Sequence, residues 1–241
     1  MSNYVYGKNP LREALLAKRV KVLYVVNINN YLEWVNLAKK NKVIVKEVSE
    51  KVLTEMVGKG KPHQGIVGEI NDYRYATLEE VMNANKDFKY PLIVMLDGLE
   101  DPHNLGAILR SADATGVDGI IIPKNRSVHL NDTVAKVSTG AIEYVKVCEV
   151  TNLTQTLKLL KEKGYWIVVA EKTEQAVPYT SIKYDMPIVL VVGSEGKGVS
   201  RLVIEQADFV VYLPMWGHVN SLNASVSTAV LLYEINKHRK D

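Results

Sequence analysis

The sequence predicts an α/β fold, with a parallel-sheet domain preceded by a small α/β domain. From Leu92 onward, apolar strand-like runs alternate with helical stretches, the pattern of a parallel sheet with right-handed crossovers. Three of those runs, Leu92–Leu96, Ile188–Val192 and Phe209–Leu213, are each followed by a cluster of polar residues and glycines. Ligands of open α/β sheets bind beyond the carboxyl ends of strands, so three clusters at three such ends suggest one composite site.

In the first part of the chain, Leu11, Leu15 and Leu16 mark a helix over 7–18. Val20–Val26 reads as a strand, Tyr31–Lys40 as a helix and Val43–Val48 as a second strand. Ser49 is a candidate N-cap for a helix after it, and Gly65–Ile70 is a third strand. Asn71–Tyr90 is polar and ends at Pro91, as a linker or short helix does. Strands are then predicted over 92–96, 119–122, 143–149, 165–170, 187–192 and 209–213. Helices are predicted over 103–115, 131–139, 152–163, 200–206 and 221–238. There is no internal repeat and no low-complexity segment.

The chain has 241 residues, 47% apolar and 24% charged, an ordinary globular composition. The net charge is +3. Residues 1–74 nevertheless hold 13 Lys and Arg against 7 Asp and Glu, so the smaller domain is the one suited to a polyanion. The single cysteine, Cys148, lies in an apolar stretch and reads as a buried small hydrophobe. No Cys, His and Asp spacing suggests a metal site. No apolar run is long enough to span a membrane, and the start lacks a signal-peptide pattern. A cytoplasmic location is expected.

Each cluster carries its own chemistry. In the first, Asp101 can cap a helix and Pro102 suits its first turn. Leu105, Ile108, Leu109 and Ala112 form the buried stripe. Arg110 lies roughly 150° away from it, toward solvent, a ligand or a partner, and its planar fork suits phosphate. The second cluster, Gly193-Ser194-Glu195-Gly196-Lys197-Gly198, fits neither a Walker loop nor a dinucleotide fingerprint. Glu195 would repel a phosphate, so the turn suits a cofactor without phosphates. In the third, Pro214-Met215-Trp216-Gly217 leads to Ser221-Leu222-Asn223 at a helix N-terminus, where free N–H groups point at a ligand. Ala224, Ser225, Ser227, Thr228 and Ala229 would let that helix pack closely on a neighbour.

Together the clusters resemble motifs 1, 2 and 3 of the SpoU/TrmH class of RNA ribose 2′-O-methyltransferases. Asn104-Leu105-Gly106 with Arg110, the Gly193–Gly198 turn, and Leu213-Pro214-Met215-Trp216-Gly217 with Ser221-Leu222-Asn223 fall in the family's order and spacing. Ala224 and Ser227 stand where valine and alanine are common. The N-terminal stretches Val5-Tyr6-Gly7-Lys8-Asn9-Pro10, Arg19–Val25 and His63-Gln64-Gly65-Ile66-Val67 resemble the substrate-binding domain of the RlmB-type branch, which methylates a guanosine of 23S rRNA.

The resemblance implies an RNA-binding domain over 1–72, a linker over 73–88 and a methyltransferase domain over 89–241. It implies S-adenosylmethionine as methyl donor, a C-terminal trefoil knot of the SPOUT type and a homodimer. It places Gly193, Gly196, Leu213, Met215 and Leu222 in the cofactor pocket. It groups Arg110, Asn104, Glu195, Ser221 and Asn223 as catalytic. No obvious general base accompanies them. His103 and His218 lie near the clusters, and Arg110 is either the base or, as a permanent cation, a stabiliser of phosphate and alkoxide. Three other activities are compatible with parts of the pattern: methylation of tRNA, RNA binding without catalysis, and dinucleotide-dependent oxidoreduction. Intact motifs weigh against the second, and the failed glycine fingerprint against the third.

Overall fold

The computed structural model describes residues 3–71, 73–84 and 88–239. The chain forms two compact units. One is Met1–Arg74 together with Leu130–Tyr144; the other is Tyr75–His129 together with Val145–Asp241.

The first unit has a four-stranded sheet of β1 (Asn3–Tyr6), β2 (Val20–Val25), β3 (Ile44–Glu47) and β4 (Ile66–Ile70), in the order β1-β4-β2-β3. β4 runs antiparallel to β1 and β2, while β2 and β3 are parallel. The sheet carries α1 (Lys8–Leu16), α2 (Leu32–Lys40) and α3 (Glu50–Val57). Leu11 and Leu15 are buried, but Leu16 is largely exposed; one residue further along a helix turns the side chain by about 100°. β1 is a strand that the apolar pattern did not reveal. Ser49 holds the N-cap position of α3 with extended backbone, yet its side chain makes no capping hydrogen bond.

The segment 130–144 completes this unit with α6 (Asp132–Val137) and a 3-10 turn at Ala141–Glu143. Gly140, with φ of 98°, ends the helical path, and the Arg19 guanidinium pairs with the Glu143 carboxylate. The strand predicted from residue 143 therefore begins only at Val147.

The second unit is a seven-stranded, all-parallel sheet. Its strands are β5 (Leu92–Asp97), β6 (Gly119–Pro123), β7 (Val147–Val150), β8 (Trp166–Ala170), β9 (Val177–Pro178), β10 (Ile188–Gly193) and β11 (Phe209–Tyr212). Their order is β7-β6-β5-β10-β8-β11-β9. From β5 the chain steps out to β6 and β7, while β10 is inserted between β5 and β8. The β5–β10 border is thus a topological switch point, where α/β sheets place ligands. Five of the six residues of β5, and five of β10, are buried between helical layers.

Helices α4 (Leu78–Met82), α5 (Pro102–Ala114), α7 (Leu153–Glu162), α8 (Arg201–Ile204) and α9 (Ala224–Asn236) belong to this unit. Within the stretch expected as a linker, Thr77 and Glu80 form a capping box for α4. Val81 there is fully buried in the core, and Ala76 bridges Cys148. α5 and α9 pack together. Beyond α9, the buried Arg239 donates to the carbonyls of Tyr90 (2.8 Å) and Thr115 (3.2 Å) and faces Asp118 at 3.6 Å. These contacts anchor the C-terminal segment to the sheet.

Candidate active site at the carboxyl ends of β5, β8, β10 and β11

Strand register brings the three clusters together. Gly193 pairs with Asp97, Val192 with Ala170, and Ala170 with Val211, so four strand ends finish on one edge. A cavity of about 670 Å³ opens there, lined by residues 170–172, 192–196, 198, 211–213, 215 and 220–224 among others. All five residues predicted for the cofactor, Gly193, Gly196, Leu213, Met215 and Leu222, line it. So do Glu195, Ser221 and Asn223.

Gly193 is glycine because nothing larger fits. A Cβ there would collide with the Gly198 carbonyl and the Val199 amide nitrogen. That close approach lets the Gly198 amide donate to the Ser194 carbonyl at 2.9 Å, closing the turn that holds Glu195 outward. Gly196 and Gly198 have φ of 81° and 65°, the left-handed region that favours glycine.

The three clusters meet in one hydrogen-bonded triangle. Asn104, buried on the first turn of α5, donates through Nδ2 to Glu195 Oε1 at 3.1 Å. Asn223 Nδ2 donates to the same oxygen at 2.6 Å and to Asn104 Oδ1 at 2.9 Å. The Asn223 side-chain oxygen accepts from the amides of Ser225 (2.9 Å) and Val226 (3.4 Å), which caps α9. The predicted helix start at Ser221 is therefore corrected: Ser221 lies outside the helix and donates to Asn220 Oδ1 at 3.4 Å. Asp101 caps α5 by accepting from the His103 amide at 2.9 Å, and Pro102 opens the helix.

Arg110 sits on the exposed side of α5 and makes no hydrogen bond or ion pair with a described residue. It does not line the cavity, and neither does Asn104. His103 and His218 are both exposed and outside the cavity lining.

Two carboxylates at strand ends were missed by sequence reasoning. Glu171, directly after β8, lines the cavity and accepts from the amides of Val199 (2.9 Å) and Lys172 (3.0 Å). Asp97, the last residue of β5, accepts from the Ser200 amide at 2.8 Å. They fasten the turn and the chain that follows it to neighbouring strands. The available signal was their position: each is the first acidic residue after an apolar run.

Among the described residues the cavity is lined by two carboxylates, Glu171 and Glu195, and one lysine, Lys172, together with glycine backbone and apolar side chains. That donor set rejects a polyphosphate and fits a nucleoside-sized ligand with a cationic centre. Cys148 is buried, and burial pushes its thiol up, so it is no nucleophile. Among the described residues no group of three or more His, Cys, Asp and Glu is arranged to hold a metal ion. No described helix is long and apolar enough to cross a membrane.

Residues 91–233 match the model of the SpoU rRNA Methylase family. Residues 4–76 match that for RNA 2′-O ribose methyltransferase substrate binding. Over 240 residues the chain is 44% identical to a Staphylococcus haemolyticus protein assigned to the TrmH family of tRNA/rRNA methyltransferases, covering 98% of this chain and 95% of the other. Among solved structures, an AdoMet-bound rRNA methyltransferase from Sinorhizobium meliloti shares the fold at a TM-score of 0.82 and 23% identity, over 98% of this chain and 87% of that one. The A. aeolicus TrmH/SpoU tRNA modifying enzyme aligns at a TM-score of 0.58 with 33% identity, over 67% of this chain and 80% of that one.

Proposed function

Because the chain belongs to the SpoU rRNA Methylase family, we propose that it methylates a ribose 2′-hydroxyl of RNA, with a guanosine of 23S rRNA as its target. It is an RNA methyltransferase with an α/β, parallel-sheet catalytic unit and an N-terminal substrate-binding domain. The observation that carries the proposal is the Asn104–Glu195–Asn223 triangle, which joins three separate strand ends beside one nucleoside-sized cavity.

S-adenosylmethionine, when bound, supplies a methyl group already activated by its positive sulfur. Gly193, Gly196, Leu213, Met215 and Leu222 form the walls that hold it, mainly with backbone groups. Glu171 and Glu195 supply the negative charge that suits a sulfonium and an amino group. The remaining task of the chain is to place the ribose hydroxyl in line and manage its charge. Arg110 is cationic at every working pH. It grips the phosphate beside the target ribose and steadies the negative charge that grows on the 2′-oxygen as its proton passes to solvent water. Ser221 and Asn223, which line the cavity, orient the ribose.

The reading extends to a homodimer. Val226, Val230 and Tyr233 lie at i, i+4 and i+7 on the outer side of α9 and are exposed, an apolar stripe suited to a second copy. A trefoil knot is proposed too; the insertion of β10 between β5 and β8 supports it.

The test is transfer of labelled methyl from S-adenosylmethionine to unmodified large-subunit rRNA and to bulk tRNA, with nuclease mapping of the product. A ribose-methylated guanosine in rRNA is the expected product. Label in tRNA alone would overturn the rRNA target, and label on a base would overturn the 2′-hydroxyl assignment.

A further inference from the structure

The first unit has a cleft of its own, about 350 Å³, lined by residues that include Tyr6, Lys8, Gln64, Lys136 and Thr139. Its chemistry is basic and aromatic. Lys61 Nζ and Lys136 Nζ lie 5.6 Å and 5.8 Å from the centre of the Tyr6 ring. Lys8 Nζ lies 5.6 Å from the Trp34 ring and 5.8 Å from the Tyr31 ring. All three lysines are exposed. Among the described residues no carboxylate lines the cleft; Asp132 acts on Tyr6 and Lys61 from nearby and leaves the cations in excess.

The cleft is also held rigid. Gln64 and Thr139 both have positive φ, 54° and 55°. For a β-branched threonine that backbone is costly, and such strain collects at ligand clamps. Gln64 is fixed at both ends: its side-chain oxygen accepts from the Lys8 amide at 3.0 Å, and its carbonyl accepts from the Tyr31 hydroxyl at 2.6 Å.

Lys136 falls within the stretch that matches the methylase family, residues 91–233, yet it folds into the first unit. The cleft is therefore built from both sequence regions. We propose that it is a subsite for single-stranded RNA, in which a base packs on the Tyr6 ring and Lys8, Lys61 and Lys136 take the flanking phosphates. Base–aromatic packing with mobile lysines is the chemistry of strand capture without sequence reading. This proposal rests on the RNA reading above.

The test uses the full chain and a fluorescent, unstructured oligouridylate, with anisotropy measured across a salt series. Tyr6→Ala should weaken binding about fivefold or more, and Tyr6→Phe should bind as the unaltered chain does. Lys136→Gln, on the surface, should lower the magnitude of the slope of log affinity against log salt by about 0.7 for the phosphate contact it loses. S-adenosylmethionine binding should be unchanged in all three. Wild-type affinity and slope in both Tyr6→Ala and Lys136→Gln would overturn the proposal, as would failure of the unaltered chain to bind the oligomer. Methyl transfer to rRNA by the unaltered chain separates the two readings. Transfer with unaffected variants overturns the cleft alone. Absence of transfer overturns the proposed function, and the cleft then stands or falls on the binding curves.

Discussion

The Asn223 amide nitrogen donates to the Glu195 carboxylate across 2.6 Å, tying the start of α9 to the glycine turn after β10. The oxygen of the same side chain caps the helix, accepting from the Ser225 amide at 2.9 Å. One residue thus serves the helix with its oxygen and the site with its nitrogen. The two duties can be separated.

Asn223→Ser should do so. Serine is about as good an N-cap as asparagine, so the capping contribution to stability should change by less than about 0.5 kcal/mol, and any further loss of stability measures the contacts of Nδ2. Serine has no amide nitrogen to reach Glu195 and Asn104. A lost hydrogen bond to a charged group is worth about 1.5–3 kcal/mol, so methyl transfer should fall roughly 10- to 100-fold. Thermal unfolding and steady-state transfer measured on one preparation check this. A loss of activity that merely tracks a loss of stability would reduce the residue to a cap.

Two glycines of the same turn should behave differently. At Gly193 a side chain meets backbone, which cannot swing aside. Gly193→Ala should cost about 1–3 kcal/mol and abolish S-adenosylmethionine binding. At Gly196 nothing lies within 4 Å of an added Cβ, but φ is 81°. Gly196→Ala should cost about 1–2 kcal/mol in backbone strain and leave cofactor affinity within a few fold. Calorimetric titration of both variants decides. Equal losses of binding would mean that the turn acts through flexibility and not through the space Gly193 vacates.

The contrast between these positions shows what was legible in the sequence. The apolar runs and the clusters after them located the sheet, its functional edge and the cavity residues, because burial on both faces of a parallel strand imposes a continuous apolar run. The sequence places the helix start at Ser221, whereas Asn223 caps it; both residue types suit an N-cap, and only the backbone path distinguishes them. Glu171 offered only its position, one acid directly after an apolar run, and no motif around it marked it as part of the site. Leu130–Tyr144 joins the first unit through contacts between residues far apart in the chain, among them Arg19 with Glu143, 124 residues away, and α6 with β1. No local periodicity encodes that.

Arg110 is exposed and without a described protein partner, so its removal should leave folding within about 0.5 kcal/mol. Arg110→Ala should nevertheless reduce methyl transfer strongly, because the cation that meets the phosphate is gone. Arg110→Lys should restore part of the rate. If the guanidinium acts as a fixed cation, the lysine variant's rate falls at every pH while its pH profile keeps its shape. A new limb in that profile would instead assign the proton transfer to this side chain.

Stability should depend on pH through Asp118. Burial pushes its carboxyl from an ordinary 3.8 up to about 6, against the pull of the Leu92 amide and of Arg239. The Leu92 amide donates to Oδ2 at 2.6 Å, while Oδ1 is buried without a hydrogen-bond partner among the described residues. A folded-state pKa raised above the unfolded one means that the native chain holds the proton more tightly. The stabilisation is complete below 3.8 and is lost as pH rises through about 6. Asp118→Asn keeps an oxygen for the Leu92 amide and does not titrate. Its stability relative to the unaltered chain should therefore climb with pH between these two values and then level off. Urea unfolding at a series of pH values measures the difference; parallel curves would show that Arg239 holds Asp118 ionised throughout, as an ion pair rather than a buried acid.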